Sequence, residues 1–157
     1  MQHIISALVE NKFGILAKIS GLFSARGFNI DSLAVGETHD PTISRMTIVV
    51  TGEDRIIEQV MKQLSKLIDV IKVTDLSEES HVERELMMMK ASHTKSNRSE
   101  IIQLVEIFKA KIIDYGPKTM TILIVGTSEK LEAFMDTIRP FGIKETARTG
   151  RIALTRG

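Results

Sequence analysis

Cysteine and tryptophan are absent from the 157 residues, and there is a single tyrosine. No disulfide, thiolate metal site or cysteine nucleophile is therefore available. Aromatics make up 4%, so stacking platforms for nucleic-acid bases are scarce. An excess of charge of either sign is missing too. The 21 basic and 20 acidic residues leave a net +1, which gives no general pull toward nucleic acid or a membrane surface. No apolar run is long enough to cross a bilayer, and the first residues lack the basic-then-apolar order of a secretion signal. With no cysteine, these features set the expectation of a cytoplasmic protein that meets neither nucleic acid nor membrane.

Familiar chemistry is also missing. There is no G-x-S-x-G, no G-x-x-x-x-G-K and no G-x-G-x-x-G. His3, His39, His81 and His93 are too scattered to pair as metal ligands. The expectation is no catalytic residue and no metal site. Glu78 with Glu79, and Glu83 with Glu85, resemble carboxylate pairs, but their charged surroundings read as a solvated stretch. Arg45 reads as one half of a surface ion pair rather than an anion contact. Arg148, Arg151 and Arg156 read as a solvated basic edge.

What is present describes a folded chain, 43% hydrophobic and 26% charged. His3 to Val9 predicts a strand. Ile15, Leu16, Ile19, Leu22 and Phe23 recur at helical spacing up to Gly27, whose lack of Cβ suits the residue past a helix C-terminus. Phe28 can fold back on that last turn. Strands follow at Asn29 to Val35 and around Met46, Ile48 and Val50. A helix begins after Thr51-Gly52-Glu53-Asp54, and a strand runs from Val70 to Leu76. The second half repeats the order. A strand at Val82 to Ala91 contains Met87-Met88-Met89, read as core. A helix follows Asn97, where Asn97 and Glu100 resemble a capping box. Strands at Lys111 to Asp114 and Thr119 to Val125 precede a helix from Ser128, which Pro140 stops. Ile143 to Thr149 and Arg151 to Leu154 form a last strand or hairpin around Gly150.

The fold class is therefore α+β, as two ferredoxin-like βαββαβ modules in tandem. Their expected bounds are residues 1–76 and 81–157, with 77–80 as a linker. In the first strand Ile4 and Leu8 share one face while Ile5, Ala7 and Val9 share the other. Two helices cover one face only, so a bare apolar sheet face and a homodimer through this half are expected.

One turn stands out. Asn11-Lys12-Phe13-Gly14 joins the first strand to the first helix. The first N–H groups of a helix have no internal partner and carry partial positive charge. A glycine there lets a ligand reach the backbone, so the corner can take the carboxylate of a small amino acid. An ordinary loop, with Asn11 as cap and Gly14 as turn residue, explains the same four residues.

Asn11-x-x-Gly14 in a βαββαβ module, followed by Gly27-Phe28-Asn29-Ile30, resembles an ACT domain, a regulatory module of amino-acid metabolism. More specifically, the chain is similar to the small regulatory subunits of acetolactate synthase (acetohydroxyacid synthase). Asp40-Pro41-Thr42, Ser44-Arg45-Met46-Thr47, His81-Val82-Glu83-Arg84-Glu85-Leu86, Phe108 to Gly116 and Gly126-Thr127-Ser128 onward carry the likeness along essentially the whole chain. The resemblance implies no catalysis by this chain. It would bind the large catalytic subunit of acetolactate synthase, raise its activity and confer valine feedback inhibition in branched-chain amino-acid biosynthesis. Thiamine diphosphate, Mg²⁺ and FAD would belong to that partner, with no cofactor here. The effector would lie between two ACT modules. By position, Asn11 would meet its carboxylate, Gly14 and Ile15 would offer backbone N–H groups, and Asn29 and Ile30 of the facing module would meet its amino group and side chain. Two rivals use the same fold. An amino-acid-responsive transcription regulator needs a DNA-reading helix-turn-helix or basic face, and an acyl phosphatase needs an arginine loop beside Asn11. Neither feature is visible.

Overall fold

The computed structural model describes residues 1–157. Two compact units form. One comprises Met1–Glu83 with Arg151–Gly157, the other Arg84–Gly150. No helix is long and apolar enough to cross a membrane.

The first unit runs β1 (Gln2–Glu10), α1 (Ile15–Ala25), β2 (Asn29–Glu37), β3 (Ile43–Thr51), α2 (Asp54–Ser65) and β4 (Val70–Asp75). Its sheet has the order β2-β3-β1-β4, and its three strand pairs are antiparallel. Alternation along β1 sends Ile5, Ala7 and Val9 into one core with Met46, Ile48 and Val50 of β3. Ile15, Ile19 and Phe23 of α1 and Ile57, Val60 and Leu64 of α2 close it, each set at the spacing that lines one helix face.

The end of α1 follows the sequence expectation. Gly27 has φ +76°. Its N–H donates to the Ser24 carbonyl at 3.1 Å, and Phe28 N–H donates to the Phe23 carbonyl at 3.2 Å, the paired bonds of a Schellman cap. Phe28 turns edge-on to Phe23, centroids 6.3 Å apart. Its ring lies over Gly52, where a Cβ would run into it.

The second unit contains the greater part of β5 (His81–Ser92), then α3 (Arg98–Ile107), β6 (Lys111–Tyr115), β7 (Thr119–Gly126), α4 (Ser128–Ile138) and β8 (Ile143–Arg148). Its strand order is β6-β7-β5-β8. Met87, Met89, Ile122 and Ile124 meet Ile101, Val105, Leu131, Phe134 and Ile138 in its core. Met88, on the opposite face of β5, is 42% exposed, so only part of the methionine run is core. The chain after Pro140 keeps one 3₁₀ turn, Arg139–Phe141. The capping box is not formed, because Asn97 Oδ1 instead accepts the Thr94 N–H at 2.7 Å. Glu85 is not solvated either. It is buried and takes Arg148 through Nε at 2.8 Å and Nη2 at 3.1 Å. Burial demands a charge partner, and Arg148 supplies it.

The C-terminal end departs from expectation. β8 and β9 (Ile152–Thr155) are not a hairpin with each other; both pair with β5. Residues 81–83 and 151–157, read as part of the second module, group with the first unit. The Arg151 N–H donates to Ser32 Oγ at 3.0 Å, and the Arg156 N–H to the Ser80 carbonyl at 2.9 Å. Ala153 lands on Ile4, Val49 and Leu76 and buries them. The second sheet face is thus not the bare apolar surface expected. The strand registers put it in rows: Val49, Ile4 and Leu76 under β9, then Thr47, Ser6 and Thr74, then Arg45, Leu8 and Lys72.

His3 clamps the start of β1. Nδ1 lies 2.7 Å from Asp75 Oδ2 and Nε2 lies 2.8 Å from Asp54 Oδ1. Only the imidazolium can donate to both. Burial opposes its charge, but the hydrogen bonds to Asp54 and Asp75 outweigh burial and raise its pKa above the ordinary 6.5. Burial likewise opposes the Asp75 charge; bonds from Ser77 and His3 outweigh it and hold that carboxyl below its ordinary range.

Two measurements check these contacts. A raised histidine pKa stabilises the fold fully below the unfolded value and loses that contribution as pH rises through the folded value. His3→Gln should therefore cost about 1–3 kcal/mol near pH 6, with the gap to the parent narrowing at higher pH in urea titrations. Gly52→Ala should destabilise by about 1–3 kcal/mol because the Phe28 ring must shift. Gly21→Ala, in open space on α1, should instead stabilise by about 0.5–1 kcal/mol. Urea midpoints report both.

Candidate functional site

The corner between β1 and α1 is held from below by a rigid loop. Asp40 Oδ1 accepts the Thr42 N–H at 3.0 Å and the Thr42 hydroxyl at 2.8 Å. The Thr42 hydroxyl bond, then its N–H, lowers the Asp40 pKa. So fixed, Thr42 accepts the Asn11 N–H at 2.8 Å. The Asn11 side chain donates from Nδ2 to the Pro41 carbonyl at 3.1 Å and to Glu37 Oε1 at 3.2 Å.

Gly14 is the N-cap of α1, with φ +84° and ψ −4°, and no side chain caps this end. The first bond of the helix runs from the Lys18 N–H to the Gly14 carbonyl at 3.2 Å. The N–H groups of residues 15–17 therefore have no acceptor inside the helix. Nothing lies within 4 Å of where a Gly14 Cβ would be. The Ile15 side chain is buried in the core, so its backbone is what it can offer. Phe13 and Leu16 flank the bare backbone as exposed apolar side chains. Lys12 pairs with Glu10 at 2.9 Å and with Asp69 at 3.4 Å, and Lys18 approaches Asp69 at 3.7 Å.

Asn29 and Ile30 begin β2, whereas Asn11 reaches Glu37 at its other end. One chain therefore gathers Asn11, Gly14 and Ile15 but does not bring Asn29 and Ile30 to them. Asn29 Nδ2 donates to Asp31 Oδ1 at 3.2 Å; Ile30 is half-buried against the core. Glu37 is the residue that sequence reasoning missed, and no spacing signal marks it. The expected role of Asn11 meets a constraint. Its two Nδ2 hydrogens face Pro41 and Glu37, which leaves Oδ1, an acceptor, open. Asn11 can donate to a carboxylate only if those bonds swing away. Arg45 forms no surface ion pair; its Nη1 donates to Ser6 Oγ at 2.7 Å. The three C-terminal arginines do not form one edge. Arg148 pairs with Glu85 and Glu132, Arg151 donates to Gln2, and Arg156 donates to the His81 carbonyl.

Residues 5–72 match the family model described as the AHAS small subunit-like ACT domain, and residues 84–157 match that of the small subunit of acetolactate synthase. The chain is 54% identical over 156 residues to the probable acetolactate synthase small subunit of Methanothermobacter thermautotrophicus, covering 99% of this chain and 93% of that one. It belongs to the acetolactate synthase small-subunit family. The Aquifex aeolicus small subunit is 49% identical, covering 99% of this chain and 81% of the relative. The crystal structure of the Thermotoga maritima small subunit superposes with a TM-score of 0.92 at 43% identity, covering 100% of this chain and 98% of that one.

The first unit of this small-subunit family member is thus an ACT domain. Its opening corner offers helix-start N–H groups toward an anion and a carboxylate, Glu37, toward a cation. That pairing suits the two ends of a zwitterion. Gly14→Ala should leave the fold intact, since no atom obstructs the new Cβ, but cost about 1–2 kcal/mol for the left-handed conformation. Urea unfolding with unchanged far-UV circular dichroism checks it.

Proposed function

We propose that this chain is the non-catalytic partner of an acetolactate synthase catalytic subunit, that it raises that subunit's activity, and that it makes it sensitive to a branched-chain amino acid, valine foremost. The observation that carries the reading is the bare α1 start at Gly14 beside the Asn11–Glu37 pair. Support comes from β2, an edge strand nine residues long with its outer edge unpaired. Such an edge is a template for another strand. Antiparallel pairing of two copies about Leu33 brings Asn29 of the second copy opposite Glu37 and Ile30 of the second copy opposite Gly36. The five residues Asn11, Gly14, Ile15, Asn29 and Ile30 then converge, twice, across a twofold axis. Val35, exposed on β2, lies on the same seam. The proposed homodimer uses the β2 edge rather than the second sheet face.

The effector's carboxylate faces the N–H groups of Gly14 and Ile15, and its ammonium faces Glu37 and Asn11 Oδ1. Regulation follows as linkage. The effector binds one arrangement of the dimer more tightly, the catalytic subunit prefers another, and a coupling of about 1–3 kcal/mol gives a several-fold to hundredfold effect. Thiamine diphosphate, Mg²⁺ and FAD reside in the catalytic partner, and no residue of this chain is assigned to them. The cytoplasm is the compartment such a cysteine-free biosynthetic partner suits.

The test is reconstitution of the full chain with its cognate catalytic subunit. Activity should rise on mixing and fall on adding valine. Gly14→Asp, which sets a carboxylate against the effector's own, should keep the activation and lose the inhibition, and Asn11→Ala should weaken the inhibition. Unchanged inhibition in both variants would remove the site; no activation by the parent would remove the function.

A further inference from the structure

A second concavity lies within the first unit, on the sheet face away from α1 and α2. Its volume is about 430 Å³, in the range of small-molecule pockets. Its floor is the sheet, and one wall is the C-terminal segment from Leu154 to Arg156.

The register explains its chemistry. Leu8 is paired with Arg45 on one side and Lys72 on the other, so the backbones of two cationic residues stand two strand spacings apart, about 10 Å, and both residues line the hollow. Arg156 adds a third from the wall. One carboxylate, Glu79, lies among the lining residues, and none of the three cations forms an ion pair. The guanidinium of Arg45 spends one hydrogen bond on Ser6 Oγ and keeps its remaining donors, of five, for other acceptors. Hydroxyls of Ser6, Thr74 and Thr155 line the same space. Leu76, buried under Ala153, closes the apolar end.

Three like charges converging on one hollow repel one another, and an anion seated among them removes that repulsion. We propose that this pocket binds a small organic anion, with a carboxylate or phosphate head between Arg45, Lys72 and Arg156 and a short apolar body toward Leu8 and Leu76. It is separate from the corner at Gly14. It uses the opposite sheet face, and it does not need a second copy of the chain. A second ligand held by β1, β3 and β4 gives the chain an input independent of the amino-acid effector.

The experiment is isothermal titration of the full chain with inorganic phosphate and with isobutyrate, one probe for each head group. At least one should bind. Binding should weaken on the order of tenfold for each cation removed in Arg45→Met, Lys72→Met and Arg156→Met; Arg156→Met also gives up the Nε bond to the His81 carbonyl, so an unchanged far-UV spectrum is the control for that variant. Gly14→Asp should leave it unchanged. In ¹H–¹⁵N spectra of the unaltered chain, the amides of Ser6, Thr47 and Thr74 should shift on titration. Absence of heat with both probes, or binding that survives Arg156→Met and Arg45→Met, or binding abolished by Gly14→Asp, would overturn the proposal without touching the valine site.

Discussion

β1 is hydrogen-bonded on both edges and packed on both faces, and the first unit is arranged by what that strand must satisfy. Pairing with β3 and β4 uses its backbone groups. Alternation then splits its side chains. Ile5, Ala7 and Val9 are buried under the helices, while Ile4, Ser6 and Leu8 build the other face. Its two ends carry the rest. The start is clamped by His3 between Asp54 and Asp75. The end delivers Asn11 onto a fixed loop and Gly14 onto the head of α1. A one-residue slip would exchange the two faces and dismantle the core, the corner and the cationic row together.

The corner at Gly14 illustrates how backbone can do the work of side chains. Gly14 takes a left-handed conformation that other residues adopt at a cost, and its missing Cβ leaves the helix start uncovered. Around it, charges are neutralised locally: Lys12 and Lys18 meet Glu10 and Asp69. The contrast with the far sheet face is physical. There Arg45, Lys72 and Arg156 have no carboxylate partners, although the chain as a whole is almost neutral. Local imbalance within global balance is what sets that hollow apart.

The C-terminal return of the chain changes the meaning of the second face. Without β9, the Val49–Ile4–Leu76 row would be a bare apolar strip that invites association. Ala153 covers it, and the same segment raises a wall beside the polar rows. β2 is one of the two edge strands of this sheet, and its outer edge exposes backbone groups rather than an apolar strip.

Much of this was legible in the residues. Alternation at His3 to Val9 and the 3.6-residue spacing after Gly14 specify strand and helix locally, because each depends only on which side chains share a face. Gly27-Phe28 specifies its cap for the same reason, since the bonds involved close within five residues. The element order, and with it the βαββαβ class, follows. What the sequence could not decide was every feature that depends on partners distant along the chain. Glu85 and Arg148 look like surface charges until 63 positions of separation collapse to a 2.8 Å bond. Asn97 chooses Thr94 over a capping box by loop geometry. Glu37 joins Asn11, and Arg45 joins Lys72 and Arg156, only because antiparallel register and a returning C-terminus set them side by side. Local propensity is written in neighbours, but register and closure are settled by the packing of the whole.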